Sequence, residues 1–119
     1  MDKKLLEMEK AFFKKEYISD RKWLENVLHD DYKECGKSGT LWNKSDVVEG
    51  LLSCTGDRDI TIYNFSCEKI VEYSWIVHYI TVSGKDKFYR TSIWCKNNRL
   101  QLIYHQATKL SCKVELDKA

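Results

Sequence analysis

Tyr73-Ser74-Trp75-Ile76-Val77-His78-Tyr79-Ile80-Thr81-Val82-Ser83-Gly84 is the longest stretch of the chain without a formal charge, and its texture decides the fold class. Trp75, Val77 and Tyr79 alternate with Ile76, His78 and Ile80, so an extended backbone here has two apolar faces. With Ser74, His78, Thr81 and Ser83 inside it, the stretch falls short of the roughly 20 mostly apolar residues that cross a membrane as a helix. Its neighbours share the texture. Residues 60–67, 69–82, 88–96 and 100–108 are rich in β-branched and aromatic side chains and read as strands. Ser83-Gly84-Lys85-Asp86 and Asn97-Asn98 supply turn chemistry between them.

Ahead of Asp59 the period is helical. Leu5, Met8, Phe12 and Tyr17, supported by Leu6, Glu9 and Phe13, recur at helix spacing over residues 3–17. The lysines at 3, 4, 10, 14 and 15, with Glu7, Glu9 and Glu16 among them, read as a solvated face. Ser19 or Asp20 can cap a second helix with Trp23, Leu24, Val27 and Leu28 as its apolar stripe, ended by His29-Asp30-Asp31. Gly36 and Gly39 punctuate a turn-rich segment flanked by short strands at 32–35 and 40–42. Ser45 can cap a third helix over residues 46–53, whose Val47, Val48, Leu51 and Leu52 turn inward.

Helices first and an antiparallel meander afterwards make an α+β domain, with no room for the crossover helices of a doubly wound sheet. No repeat, linker or low-complexity run divides residues 1–119, so a single domain is expected. A sheet with one wet face should alternate polar and apolar residues. Here both faces are apolar, and three short helices cannot cover both. A homodimer packed through the outer sheet face follows as an expectation.

The 119 residues suffice for one core without covalent staples. Composition is ordinary, at 43% hydrophobic, 13% aromatic and 32% charged, which excludes disordered and collagenous classes. Twenty basic against 18 acidic residues leave a net charge of +2, too balanced to imply a nucleic-acid or anionic-membrane partner. The N-terminus, Met1-Asp2-Lys3-Lys4-Leu5-Leu6-Glu7, lacks the uninterrupted apolar run of a signal peptide. Cys35, Cys54, Cys67, Cys95 and Cys112 are odd in number with no close pair, which fits free thiols in a cytoplasmic protein.

Polar residues inside apolar strands mark the candidate site, because burying them unpaired costs about 1–3 kcal/mol. These are His78, Arg90, Ser92, His105 and Gln106, with Tyr79, Trp94 and Tyr104 around them. Arg90, Ser92 and Trp94 share a strand face. A two-residue turn at Asn97-Asn98 would pair Lys96 with Arg99, Ser92 with Ile103 and Arg90 with His105. A loop one residue longer would bring Tyr104 and Gln106 to that face instead. A cation, a hydroxyl, an imidazole and aromatic rings suit a small anion or carbonyl compound. The alternative is that Arg90 pairs with a nearby carboxylate and His105 is a satisfied core histidine. His29-Asp30-Asp31 carries metal-capable atoms without a second His or Cys at ligand spacing, so no metal and no cofactor are expected. Phosphate loops and GxSxG elbows are absent.

Three pieces carry a resemblance. Residues 28–39, Leu28-His29-Asp30-Asp31-Tyr32-Lys33-Glu34-Cys35-Gly36-Lys37-Ser38-Gly39, are similar to L-x-D-D-F-x-E-x-G-x-S-G. Arg90-Thr91-Ser92-Ile93-Trp94 is similar to R-x-S-x-W. Leu102-Ile103-Tyr104-His105-Gln106-Ala107-Thr108 is similar to the end of W-x-L-x-F-H-Q-G-T. Together they resemble the SnoaL-like, polyketide-cyclase-type branch of the nuclear transport factor 2-like superfamily, in order and spacing from about Leu5 to Thr108. Leu100 stands where relatives often carry Trp, and Ala107 replaces the usual Gly.

That resemblance implies a cone: a strongly curved antiparallel sheet wrapped around three N-terminal helices, enclosing a pocket, with dimers across the outer sheet face. The fold hosts enzymes, transport factors and assembly modules alike, so function has to come from the site. The expected reading is a cytoplasmic small-molecule-binding protein. In it Arg90, Ser92, His105 and Gln106 hold a small polar or anionic ligand, Tyr79, Trp94 and Tyr104 line the pocket, and Trp42 stands at the rim. Two alternatives remain. One is an isomerase, dehydratase or cyclase using His105 as acid/base, since the strands offer no obvious pocket carboxylate. The other is a homodimeric assembly module without a ligand.

Overall fold

The computed structural model describes every residue of the chain except Asp57 and Asp59, so the strand boundary expected at Asp59 lies outside the described residues. Helix α1 (Asp2–Ala11) is followed by a single turn, α2 (Lys15–Ile18), and by α3 (Arg21–Val27). The helical period expected over residues 3–17 is therefore broken after Ala11. The backbone N–H groups of Phe12 and Phe13 turn back to the carbonyls of Glu9 and Lys10, tightening the last turn. Asp20 caps α3, its side chain accepting from Trp23 N at 3.1 Å.

Leu28 leaves the helix directly into strand β1 (Leu28–Cys35), so His29-Asp30-Asp31 opens a strand rather than ending a helix. Lys44 holds the run in place, its Nζ 3.1 Å from Asp30 Oδ1 and 2.8 Å from the Glu25 carbonyl. Strand β2 (Leu41–Asn43) leads into α4 (Lys44–Leu52). The cap of α4 is Asn43 rather than Ser45. Asn43 Oδ1 accepts from Asp46 N at 2.9 Å while Asp46 Oδ2 accepts from Asn43 N at 3.0 Å, a reciprocal capping box.

Strands β3 (Ile62–Val71), β4 (Ser74–Ser83), β5 (Asp86–Asn97) and β6 (Arg99–Lys109) form the expected antiparallel meander. The β3–β4 turn falls at Glu72-Tyr73, where Tyr73 takes a φ of +65°, so the break expected between residues 67 and 69 is absent and residues 69–71 belong to β3. One curved, open sheet results, with strand order β2-β1-β6-β5-β4-β3. Among the described residues its one parallel pair is β1 with β6, which joins the helical half of the chain to its last strand. The fold is α+β, with the N-terminal helices packed into the curve of the sheet.

The helices and one face of the sheet share the core. Leu5, Phe12, Phe13, Leu24 and Val27 pack with Val77, Tyr79, Trp94 and Leu102. Trp23 stands between Phe12 and Tyr17, ring centroids 5.0 and 5.1 Å away. At the far edge of the sheet, the segment after β6 lies along β3. Asn64, at φ +53°, accepts from Asp117 N through Oδ1 at 2.6 Å and donates to the Glu115 carbonyl through Nδ2 at 2.9 Å. No helix among the described residues is long and apolar enough to cross a membrane. All five cysteines are free, four half-buried and Cys112 exposed.

Candidate functional site

Register decides which side chains meet inside the curve. β5 and β6 close around Asn98 alone, at φ +71°, so that Asn97 faces Arg99. A bulge then inserts Ile103 between the pairs Ile93–Tyr104 and Trp94–Leu102. The tighter turn and the bulge each move the pairing by one residue. Ser92 therefore faces His105, and Arg90 faces Ala107, two residues from the register of a two-residue Asn turn. A shift of two preserves the side-chain face, so His105 stays inside with Arg90, Ser92 and Trp94. Tyr104 and Gln106 project from the outer face, where Gln106 pairs with Thr91 and its Oε1 accepts from the Tyr104 hydroxyl. The expectation that Tyr104 and Gln106 contact a pocket ligand is corrected by this parity.

Inside the curve lies an open-mouthed cavity of about 390 Å³. Tyr79, Arg90 and His105 line it, and Trp42, 39% exposed, stands at its mouth. Ser92 and Trp94 are fully buried and support the lining from behind. Phe12, Phe13, Val47, Leu51, Ile60 and Leu102 give the cavity an apolar body.

Polar lining groups that the sequence reading of the site did not name include Glu9, Tyr32, Glu34 and Arg58, together with Lys37, Ser38, Asp46 and Cys54. Glu9 is only 2% exposed, so its place on the solvated lysine-rich face is overturned. The reason is spacing: Glu9 follows Leu5 by four residues and precedes Phe12 and Phe13 by three and four, which sets it on the apolar stripe. A carboxylate within such a stripe was the available signal. Its Oε1 accepts from the Tyr79 hydroxyl at 2.6 Å and its Oε2 from Trp94 Nε1 at 2.7 Å. Burial raises its pKa, while hydrogen bonds from Tyr79, Ser92 and Trp94 and the charge on Arg90 pull it down. Tyr79, equally buried and next to Glu9, is pushed well above the usual phenol range.

His105 belongs to a directional chain. Arg90 has only donors, so its Nη1, 3.3 Å from His105 Nε2, makes that nitrogen an acceptor. The neutral ring then carries its hydrogen on Nδ1 and donates to Ser92 Oγ at 2.7 Å. Ser92 is left free to donate to Glu9. Burial, then the charges of Arg90 and Arg58, lower the His105 pKa to about 3. Such an imidazole is a poor proton acceptor near neutral pH. Arg90 is fixed further by Nε donating to Thr81 Oγ1 at 2.7 Å.

Arg58 reaches the cavity from the segment after α4. Its Nη2 donates to the Phe12 carbonyl at 2.7 Å, and its backbone N–H donates to the Phe13 carbonyl at 3.1 Å. Its guanidinium carbon sits 4.7 Å from the Phe13 ring centroid, and that of Arg90 is 5.8 Å from the same centroid. Arg58 Nε is buried with no hydrogen-bond partner. Neither Arg58 nor Arg90 has a described carboxylate within 4 Å. The alternative in which Arg90 is closed in an ion pair therefore finds no partner among the described residues. On the other wall, the Tyr32 hydroxyl donates to Glu34 Oε1 at 2.5 Å, and burial beside that carboxylate raises the Tyr32 pKa well above 10.

His78 lies outside this constellation, on the outer face, with Nδ1 2.9 Å from Thr91 Oγ1 and its ring stacked on Tyr89. No group of three or more His, Cys, Asp or Glu side chains arranged to hold a metal ion is present among the described residues.

No family model matches the sequence, and no curated protein matches it. The fold does have counterparts among solved structures. An NTF2-like protein from Cytophaga hutchinsonii is 18% identical, with a TM-score of 0.73 over 89% of this chain and 95% of that one. A "putative ketosteroid isomerase" from Parabacteroides distasonis is 12% identical, with a TM-score of 0.71 over 93% and 89% of the two chains. A cystatin-like fold protein from Burkholderia xenovorans is 8% identical, with a TM-score of 0.67 over 89% and 91%. These likenesses agree with the helix-filled curve of six strands: the chain has the nuclear transport factor 2-like fold.

Proposed function

We propose that the protein binds a small anionic molecule, a carboxylate or similar oxyanion, within the cavity. The observation that carries this reading is the pair Arg58 and Arg90, both against the Phe13 ring and neither within 4 Å of a described carboxylate. Buried guanidinium groups normally have acceptors, and Arg58 Nε has none. A ligand oxyanion would supply one, with the apolar lining covering the rest of the ligand. Thr81 and His105 hold Arg90 in one orientation, so little entropy is lost when the anion arrives.

Thermal denaturation with benzoate, acetate or inorganic phosphate tests this reading, with sodium chloride at equal ionic strength as the control. Stabilisation should grow with anion concentration and shrink in Arg58→Gln. Equal responses of both proteins to every anion and to chloride would refute it. Native mass spectrometry of the purified protein would report any bound molecule directly.

A second reading is acid/base catalysis of the isomerase, dehydratase or cyclase kind. It is supported by one observation, the cavity-lining carboxyl of Glu9 beside the Tyr79 hydroxyl. A buried carboxyl whose pKa is raised is better suited to moving protons than an ordinary exposed one, a role the low pKa of His105 does not favour. An activity of this kind should disappear in Glu9→Gln.

The outer sheet face is proposed to pack against a second copy of the chain. Ile76, His78, Ile80, Tyr89, Ile93 and Tyr104 point away from the helix-filled core. Sedimentation equilibrium should give a dimer, and Ile93→Lys should give a folded monomer.

A further inference from the structure

Glu9 is the group an anion site should lack. It lines the same cavity as Arg58 and Arg90, and a second negative charge beside it would be repelled. Its carboxyl oxygens contact the neutral donors Tyr79 and Trp94, and no described cation lies within 4 Å to neutralise it. The nearest compensation is longer-range, from Arg90. An anion that engages Arg90 would cancel that help and add a negative charge of its own. Both changes favour the neutral carboxyl.

We propose that anion binding in the cavity is coupled to the uptake of a proton by Glu9. This inference rests on the anion-binding reading and adds to it the stoichiometry: one anion and up to one proton enter together. The resting protein holds a carboxylate under the neutral donors Tyr79, Trp94 and Ser92, and the loaded protein holds a carboxylic acid beside an ion-paired guanidinium.

The groups packed against Glu9 do not offer the proton an alternative seat, and the carboxyls of Glu34 and Asp46, which line the same cavity, are told apart from it by the Glu9→Gln variant. From β4, Tyr79 is already protonated and raised. From β5 come Arg90, which only donates, the neutral Ser92 and Trp94. From β6, His105 has Nε2 facing an Arg90 N–H and Nδ1 bonded to Ser92, and its pKa of about 3 leaves it neutral even after a sizeable upward move. From β1, Tyr32 is protonated and spends its hydrogen on Glu34 Oε1. Arg58, from the segment after α4, carries a permanent charge. Burial already raises the Glu9 pKa, and an anion that pairs with Arg90 moves it further in the same direction.

Isothermal titration calorimetry with sodium benzoate tests the coupling, in buffers of different ionisation enthalpy between about pH 5 and pH 9. The observed enthalpy should vary with buffer ionisation enthalpy in the sense of proton uptake. Affinity should weaken as pH rises above the Glu9 pKa of the free protein, by up to about tenfold per pH unit. In Glu9→Gln both dependences should vanish. Because an amide oxygen at position 9 can accept from only one of the Tyr79 hydroxyl and Trp94 Nε1 where the carboxylate accepts from both, a second measurement uses the wild-type chain. The carboxyl carbon of Glu9, followed by NMR, should titrate at higher pH with benzoate than with sodium chloride. Benzoate that binds without proton uptake at any pH, or with uptake that survives in Glu9→Gln, overturns the coupling and leaves the anion site standing. No benzoate binding at all overturns both.

Discussion

Ser92 Oγ lies 2.7 Å from His105 Nδ1, across a strand pair brought into that register by an extra residue in β6. Ser92 is fully buried, so the bond has no water to replace it. Ser92→Ala leaves the Nδ1 hydrogen of His105 unsatisfied and should cost about 1–3 kcal/mol in urea denaturation. Ser92→Thr keeps the hydroxyl and should cost less if its methyl group fits. A neutral outcome for Ser92→Ala would mean that His105 donates elsewhere.

His105 and Glu9 should set opposite limits on stability against pH. The folded His105 pKa of about 3 lies below the ordinary 6.5, so its contribution is present above pH 6.5 and lost as pH falls toward 3. At its acid extreme this loss is on the order of 5 kcal/mol. Glu9 runs the other way. Its pKa is raised above 4.5, so its contribution is present below 4.5 and lost as pH rises through the folded value. The midpoint temperature should therefore fall on both flanks. His105→Gln should flatten the acid flank and Glu9→Gln the alkaline one, as scanning calorimetry across pH can check.

Tyr79→Phe removes the donor to Glu9 Oε1 without opening a cavity larger than an oxygen atom. The cost should be about 1–3 kcal/mol at neutral pH and smaller in acid, where a protonated Glu9 needs the donor less. The same variant should raise the Glu9 pKa further, readable from its carboxyl carbon by NMR. An unchanged titration would show that the Tyr79 hydroxyl does not stabilise the carboxylate.

Asn64 fastens the end of the chain to β3 through both ends of its amide. Its φ of +53° is also one that Asn tolerates better than most residues. Asn64→Ala should cost about 1–2 kcal/mol. It should also abolish amide-exchange protection at Asp117 and Ala119 while leaving β4 and β5 protected. Retained protection at Asp117 would show that the backbone bridge between Tyr63 and Lys118 suffices alone.

The strands and their order were legible because two-faced apolar runs leave few alternatives for residues 74–83 and 86–97. Arg90, Ser92, Trp94 and His105 were legible as polar or bulky residues inside those runs. What failed were features set by distant partners. The parallel contact of β1 with β6 has no local signature, since Tyr32 and Glu34 read equally well as the margin of a turn. The bulge at Ile103 has no local signature either, and together with the tighter turn it moved Ser92 opposite His105. Glu9 was misread because lysines on both sides of it suggested solvent. Its partners, Tyr79 and Trp94, lie 70 and 85 residues away. Arg58 follows a short helix in a segment of mixed polarity, where nothing in the sequence marks a side chain that reaches back to Phe12 and Phe13.

The parallel seam between β1 and β6 also fixes the order in which the molecule can assemble. The meander from β3 to β6 closes through short connections and can form early, whereas β1 must wait for residues 102–106, some 70 positions later in the chain. During synthesis the first helices leave the ribosome long before the strands that will cover them exist. Until β4 and β5 emerge, Leu5 and Phe12 lack Val77, Tyr79 and Trp94 to pack on, and the carboxylate of Glu9 stays in water. Desolvation of that carboxylate is thereby deferred until Tyr79 and Trp94 arrive with the hydrogen bonds that offset it.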